Sequence, residues 1–96
     1  MSAYCLFDNL EVTNPDKLEE YKTRALPVVE QYGGRYVVLG GKCKIMEGEW
    51  GPTFPVMIEF PSLEQAHRWY DSGEYQDLKA LRLSAVRSNA VFLEGI

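Results

Sequence analysis

The stretch Gly33–Pro61 constrains the fold most. It holds two strand-like runs joined by turn chemistry, with a strand-plus-helix block on either side. Arg35–Met46 is rich in Val, Leu, Ile and Tyr, the residues that suit a pleated, half-buried surface. Alternation places Val37, Leu39, Cys43 and Ile45 on one face and Tyr36 and Val38 on the other. Gly40-Gly41 falls inside this run, where glycine signals a bulge or a close backbone approach. Glu47–Pro52 is turn chemistry with Trp50 set in it. Phe54–Phe60 returns as the partner strand, with Phe54, Val56, Ile58 and Phe60 facing one way and Met57 and Glu59 the other.

Tyr4–Val12 is the first strand, and apolar side chains on both of its faces mark it as central. Asn14-Pro15-Asp16 then opens a helix, with Asn at the N-cap, Pro at the first helical position and an acid in the first turn. Its buried stripe is Leu18, Tyr21, Ala25, Val28 or Val29, and Tyr32; Pro27 is expected to kink it. Gly33-Gly34 ends it. Ser62 with Gln65 forms a capping box for a second helix bearing Leu63, Ala66, Trp69 and Tyr70. Asp71-Ser72-Gly73 interrupts that helix, and Ser72 can cap a continuation carrying Tyr75, Leu78, Leu81, Arg82 and Ala85. Asn89–Glu94 is a short last strand.

The order β-α-β-β-α-β predicts an α+β fold: a ferredoxin-like plait with antiparallel sheet order 4-1-3-2 and the helices on one face. Residues 1–96 form a single domain, since 96 residues leave room for one modest core. The opposite sheet face is expected to carry Cys5, Phe7, Met57, Phe92, Tyr36 and Val38 with nothing in the chain to cover them. An uncovered apolar face belongs to an interface, so a homodimer with two sheets packed face to face is expected.

Charge excludes several partners. The net charge is -4 with no basic run, which disfavours nucleic acid and anionic membrane surfaces. No apolar run approaches the roughly 20 residues of a membrane span. No basic region precedes the apolar part of the N-terminus, so a signal peptide is not expected and the chain is placed in the cytoplasm. Cys5 and Cys43 lack metal-ligand spacing. In the expected strand order their backbones lie about two strand spacings apart, roughly 9–10 Å, beyond the ~7 Å reach of a disulfide. Both are therefore expected as reduced core thiols.

Glu59 is the first candidate for chemistry. Alternation points it to the face opposite the helices, together with Asn9 and Glu11; converging carboxylates there could raise a pKa and make a general base. The alternative is an ion pair with Arg35, a lysine or a partner chain. His67, the only histidine, lies at the edge of the second helix's buried face and suits acid–base work at neutral pH. Trp50 and Tyr70, with Trp69 and Tyr75, could wall a ligand pocket, although helical spacing explains the last three as core. Arg82 sits amid an apolar helix face, where it ties either to a substrate anion or, as expected here, to Asp71, Glu74 or a helix end. No phosphate loop, nucleophile elbow or metal spacing is present.

Taken in order, Gly33-Gly34-Arg35-Tyr36, Gly40-Gly41, Glu47-Gly48-Glu49-Trp50, Glu59-Phe60-Pro61-Ser62-Leu63-Glu64, Trp69-Tyr70, Ser72, Glu74-Tyr75 and Leu81-Arg82 resemble the bacterial family of domain of unknown function 1330, in the dimeric α+β barrel superfamily. Leu39 and Gly73 depart from the pattern, standing where an Arg and a Pro are usual. The resemblance implies the plait, the face-to-face dimer and a bacterial setting, and brings no reaction with it. Two functions follow. One is a small enzyme or binding protein that takes a small molecule without a bound cofactor, with its site between sheet and helices. The other is a non-catalytic homodimer serving a structural or protein-interaction role.

Overall fold

In the computed structural model, which describes residues 1–96, seven elements follow one another. They are β1 (Ala3–Val12), α1 (Pro15–Gln31), β2 (Arg35–Leu39), β3 (Pro55–Phe60), α2 (Leu63–Asp71), α3 (Gly73–Ala85) and β4 (Val86–Glu94). The four strands form one sheet in the order β2-β3-β1-β4, with every neighbouring pair antiparallel. This is the ferredoxin-like plait expected from the sequence.

Local chemistry sets the element boundaries. The Asn14 side chain accepts from Lys17 N at 3.1 Å, and Pro15 occupies the first turn of α1. The helix runs through Pro27 and closes beside Gly33, whose φ of 82° suits the left-handed conformation that follows many helix ends. Ser62 Oγ accepts from Gln65 N at 3.0 Å. The Gln65 amide does not return to the cap; it donates to the Tyr32 carbonyl at 2.8 Å and so ties the start of α2 to the end of α1. Ser72 serves two helices: its hydroxyl donates to Trp69 O at 2.8 Å and accepts from Tyr75 N at 3.3 Å. A single side chain thereby turns the chain from α2 into α3.

β2 is shorter than its composition predicts. It ends at Leu39, and Gly40 N donates the last ladder bond to Pro55 O at 2.7 Å. Beyond it, residues 41–51 are exposed throughout, so Cys43 is an exposed thiol and only Cys5 is buried. The reason is that β3 begins at Pro55 and offers Cys43 no strand to pair with. The bulge lies at Tyr36/Val38, two residues before the glycine pair.

Gly40 carries the backbone constraint in that pair. Its φ is 65°, and a Cβ there would collide with the Phe54 ring, whereas Gly41 has open space around it. Gly40→Ala is therefore expected to cost about 1–3 kcal/mol, and Gly41→Ala less than about 0.5 kcal/mol. Denaturant midpoints of the two variants check this, and equal midpoints would refute it.

The core forms where the helices cover the sheet. Cys5, Phe7, Ile58 and Phe60 meet Ala25, Val29, Ala66, Trp69, Tyr75 and Leu78. Cross-strand partners share a face, and Cys5 lies opposite both Ile58 and Phe92 while Tyr36 lies opposite Ile58. Cys5, Phe7, Phe92 and Tyr36 thus belong to the helix side, which corrects their expected place on the uncovered face. The bare face carries Tyr4, Leu6, Val38, Met57, Val91 and Leu93 instead. Val91 is 51% exposed and Leu93 48%, and no helix covers any of this set.

The molecule is accordingly a slab, 39 × 36 × 16 Å in its principal extents. Its accessible surface is 6199 Å², against about 5,600 Å² expected for a folded monomer of its 11.0 kDa mass. The bare sheet face and the exposed arm between β2 and β3 both contribute to that excess.

Candidate functional site

α1 packs along α3 and meets the core through Ala25 and Val29, while Leu18, Tyr21, Lys22 and Leu26 border an open space over the strands. The gap it leaves over β1, β2 and β3 is a cavity of about 320 Å³, nine of whose twelve lining residues are hydrophobic. Small-molecule pockets begin near this size. Phe7, Val56 and Ile58 form its floor, with Leu18 and Tyr21 opposite on α1. Leu26, Leu39 and Phe54, each at least partly exposed, rim the mouth. Asn9, Tyr21, Tyr36, Lys22 and Arg82 supply the polar groups.

Arg82 is the unusual member. Tyr75, Leu78, Arg82 and Ala85 form the buried stripe of α3, so helical spacing carries the guanidinium inward with its apolar neighbours. Its residue is only 5% exposed. Nε donates to the Tyr75 hydroxyl at 3.3 Å, Nη1 donates to Ser88 Oγ at 3.1 Å, and the group sits 5.0 Å from the centre of the Phe7 ring. None of the five ion pairs in the chain includes it. This corrects the expected tie to Asp71 or Glu74: Glu74 accepts from the Tyr32 hydroxyl, and Asp71 is exposed at the end of α2. A guanidinium cannot shed its charge, and a buried charge without a counter-ion is costly.

Tyr75 and Tyr21 stand beside it, and a third phenol, Tyr36, lines the same cavity. The Tyr21 and Tyr75 hydroxyl oxygens lie 2.8 Å apart. Burial pushes Tyr21 well above the ordinary phenol range, and the neighbouring Tyr75 adds to the effect. Burial, with a smaller contribution from Tyr75, pushes Tyr36 up to about 12. Tyr75 is raised by burial too, with Arg82 beside it acting in the opposite direction. All three therefore keep their protons at neutral pH. The sequence did place Tyr21 and Tyr75 on buried stripes, but apolar spacing says nothing about where a hydroxyl ends up. Their convergence, and that of Ser88, depends on the packing of α1 against α3 and of α3 against β4.

Glu59 lies on the other side of the sheet. Its Oε1 accepts from Arg35 Nε at 2.7 Å and its Oε2 from the Tyr4 hydroxyl at 3.2 Å. The Arg35 hydrogen bond holds its carboxyl below the usual range, with Tyr4 adding to it and burial opposing both. An ionised, paired carboxylate is not a poised base. Asn9 does not join it, contrary to the expected convergence: Asn9 stays on the helix side with Phe7, and an irregularity between Asn9 and Glu11 breaks the alternation beyond it. Glu11 faces Arg87 at 4.0 Å.

Since the folded-state pKa of Glu59 is depressed, its contribution to stability exists above the usual carboxylate range. It is lost as pH falls through the lowered value. Glu59→Gln is expected to lower the melting temperature slightly at neutral pH, by less than Gly40→Ala does. The gap to the wild type should close in acid, and a gap that widens in acid would contradict this assignment.

The remaining candidates lie outside the cavity. His67 is exposed on α2, its ring 5.2 Å from that of Phe92. Tyr70 packs among Trp69, Tyr75 and Phe92 with the Lys79 ammonium 4.0 Å from its ring centre. Trp50 is 72% exposed in the arm between β2 and β3. No cluster of three or more His, Cys, Asp or Glu side chains is placed to hold a metal ion. No helix is long and apolar enough to cross a membrane.

The model of the domain of unknown function DUF1330 matches residues 2–96. The chain belongs to this family. Its fold is shared with the Rhodopseudomonas palustris protein RPA0582, of unknown function. That structure is 20% identical, with a TM-score of 0.73 over 99% of this chain and 82% of that one. A dimeric ferredoxin-like protein of unknown function from Thermobifida fusca is 13% identical, with a TM-score of 0.61 over 99% and 92%. A candidate antibiotic biosynthesis monooxygenase from Nitrosomonas europaea is 16% identical, with a TM-score of 0.55 over 99% and 89%. Identities this low speak for the fold alone. No functionally curated protein matches the chain.

Proposed function

We propose that this DUF1330 chain is a homodimeric protein that binds a small molecule, with no resident cofactor, in the cavity between α1 and the sheet of each protomer. The observation that carries the reading is Arg82, a buried cation without a counter-ion at the wall of an apolar cavity. Retaining such a group is costly unless something pairs with it. The bare face bearing Leu6, Met57, Val91 and Leu93 supports the dimer, as does the dimeric Thermobifida fusca structure of the same fold. Two sheets packed face to face should bury roughly 1,600 Å² in total, the size of a standard stable interface. Two unpaired cysteines fit a reducing compartment such as a bacterial cytoplasm.

Glu59 favours the second reading, a structural dimer, in one respect: it is ion-paired and so unsuited to base catalysis. That reading leaves the cavity and Arg82 without a purpose. Thermal melts of the wild type against a panel of small aromatic and aliphatic compounds test the proposal. Some members are expected to raise the melting temperature, and Val56→Phe, which fills the cavity, should abolish the effect. A panel with no stabilising member would overturn the binding reading.

A further inference from the structure

We infer that the cavity takes a small monoanion with an apolar body, its carboxylate- or enolate-type oxygen held jointly by the Arg82 guanidinium and the Tyr21 hydroxyl. This rests on the cavity reading proposed above and names the class of ligand.

A guanidinium has five N–H groups; Nε serves Tyr75 and Nη1 serves Ser88, while Nη2 has no protein partner. Either hydroxyl of the Tyr75–Tyr21 pair could donate to the other; Tyr75 also accepts from Arg82 and is wholly buried with no other acceptor in the chain, so donation from Tyr75 to Tyr21 is the arrangement that satisfies it. The Tyr21 oxygen, 2.8 Å away, is its hydrogen-bond partner. Tyr21 then keeps its own proton for a further acceptor, and Tyr21 is part of the cavity wall. In that arrangement the polar chain runs from Arg82 through Tyr75 and Tyr21 toward the cavity.

The remaining lining agrees in sign. It contains Arg82 and Lys22 but no Asp or Glu. The Tyr36 hydroxyl and the Asn9 side chain also line the space, and neither is engaged in a hydrogen bond within the chain. An acceptor-rich anion satisfies such a wall, whereas a cation would meet two positive charges. A phosphate monoester would bring a second charge and a hydration shell into a space whose other lining is hydrophobic. The aromatic rings of Phe7, Tyr36 and Phe54 suit a flat or slender apolar body instead.

Titration calorimetry with two matched pairs tests this: phenylacetate against phenylacetamide, and hexanoate against hexanamide. Each acid is expected to bind the wild type at least about ten-fold tighter than its amide, as a charge-assisted hydrogen bond requires. Arg82→Met should erase that preference while leaving the amides' affinity within about three-fold. It should also raise the melting temperature of the unliganded protein, because an unpaired buried charge is removed. Tyr21→Phe, which leaves the core intact, should shrink the preference without erasing it. Acids and amides binding alike, or an acid preference that survives Arg82→Met, would overturn this inference and leave the cavity reading standing. Binding of neither class would remove both.

Discussion

Trp69→Ala is expected to destabilise the protein by about 3–5 kcal/mol, the usual cost of truncating a buried large aromatic. Trp69 is fully buried on α2, at the point where both helix-side layers meet. Its ring lies 4.3 Å from that of Tyr75, 5.2 Å from Phe60 and 6.3 Å from Phe7, centre to centre. No neighbour can move in to fill the space, since Phe7 and Phe60 are fixed on strands and Tyr75 is tied through its hydroxyl to Tyr21 and Arg82. Only 15 of the 96 residues are buried, so the loss is a large fraction of the 5–15 kcal/mol typical of a whole domain. One term offsets part of the cost. The Trp69 Nε1 is the one side-chain polar atom wholly shut off from solvent that lacks a hydrogen-bond partner, and the substitution removes it. Urea unfolding followed by circular dichroism measures the difference. A loss below about 1 kcal/mol would mean that the core is not organised around this ring.

The element order and the caps at Asn14, Ser62 and Ser72 were legible in the sequence because they rest on local chemistry, and the sheet order because right-handed crossovers of that element order lead to the plait. Which way the strands face was not. β1 presents Cys5 and Phe7 on one side and Tyr4 and Leu6 on the other, and an alternation with apolar residues on both faces cannot say which side meets the helices. Cross-strand register settles it, since Ile58 and Phe60 carry Cys5 to the helix side. In β2 the irregularity between Tyr36 and Val38 puts both Tyr36 and Leu39 toward the helices, a pairing that strict alternation forbids. The site shows the same division. Arg82 stood on a legible stripe, but its partners come from α1 and β4, and its lack of an acid is a property of the packed chain. Glu59 stood on the face expected for it, yet its two partners there leave it no proton to move.

The sheet thus separates two tasks: its helix side holds the core and the cavity, and its bare side is free to join a second chain. Leu6→Lys is expected to convert the proposed dimer into a monomer. Leu6 lies between Met57 on β3 and Val91 on β4, at the middle of the bare face. An ammonium there would be buried and unpaired on association, which costs about 3–5 kcal/mol, or roughly two to nearly four orders of magnitude in affinity. In a two-fold dimer every substitution enters twice, so the effect is compounded. The lysine should not disturb the fold of the protomer, because Leu6 points away from Phe7, Trp69 and the rest of the core. Light scattering is expected to give twice the 11.0 kDa chain mass for the wild type and a single chain mass for the variant, with matching circular dichroism spectra. A variant that remains dimeric would place the interface elsewhere. The exposed arm carrying Ile45, Met46 and Trp50 would then be the next surface to substitute.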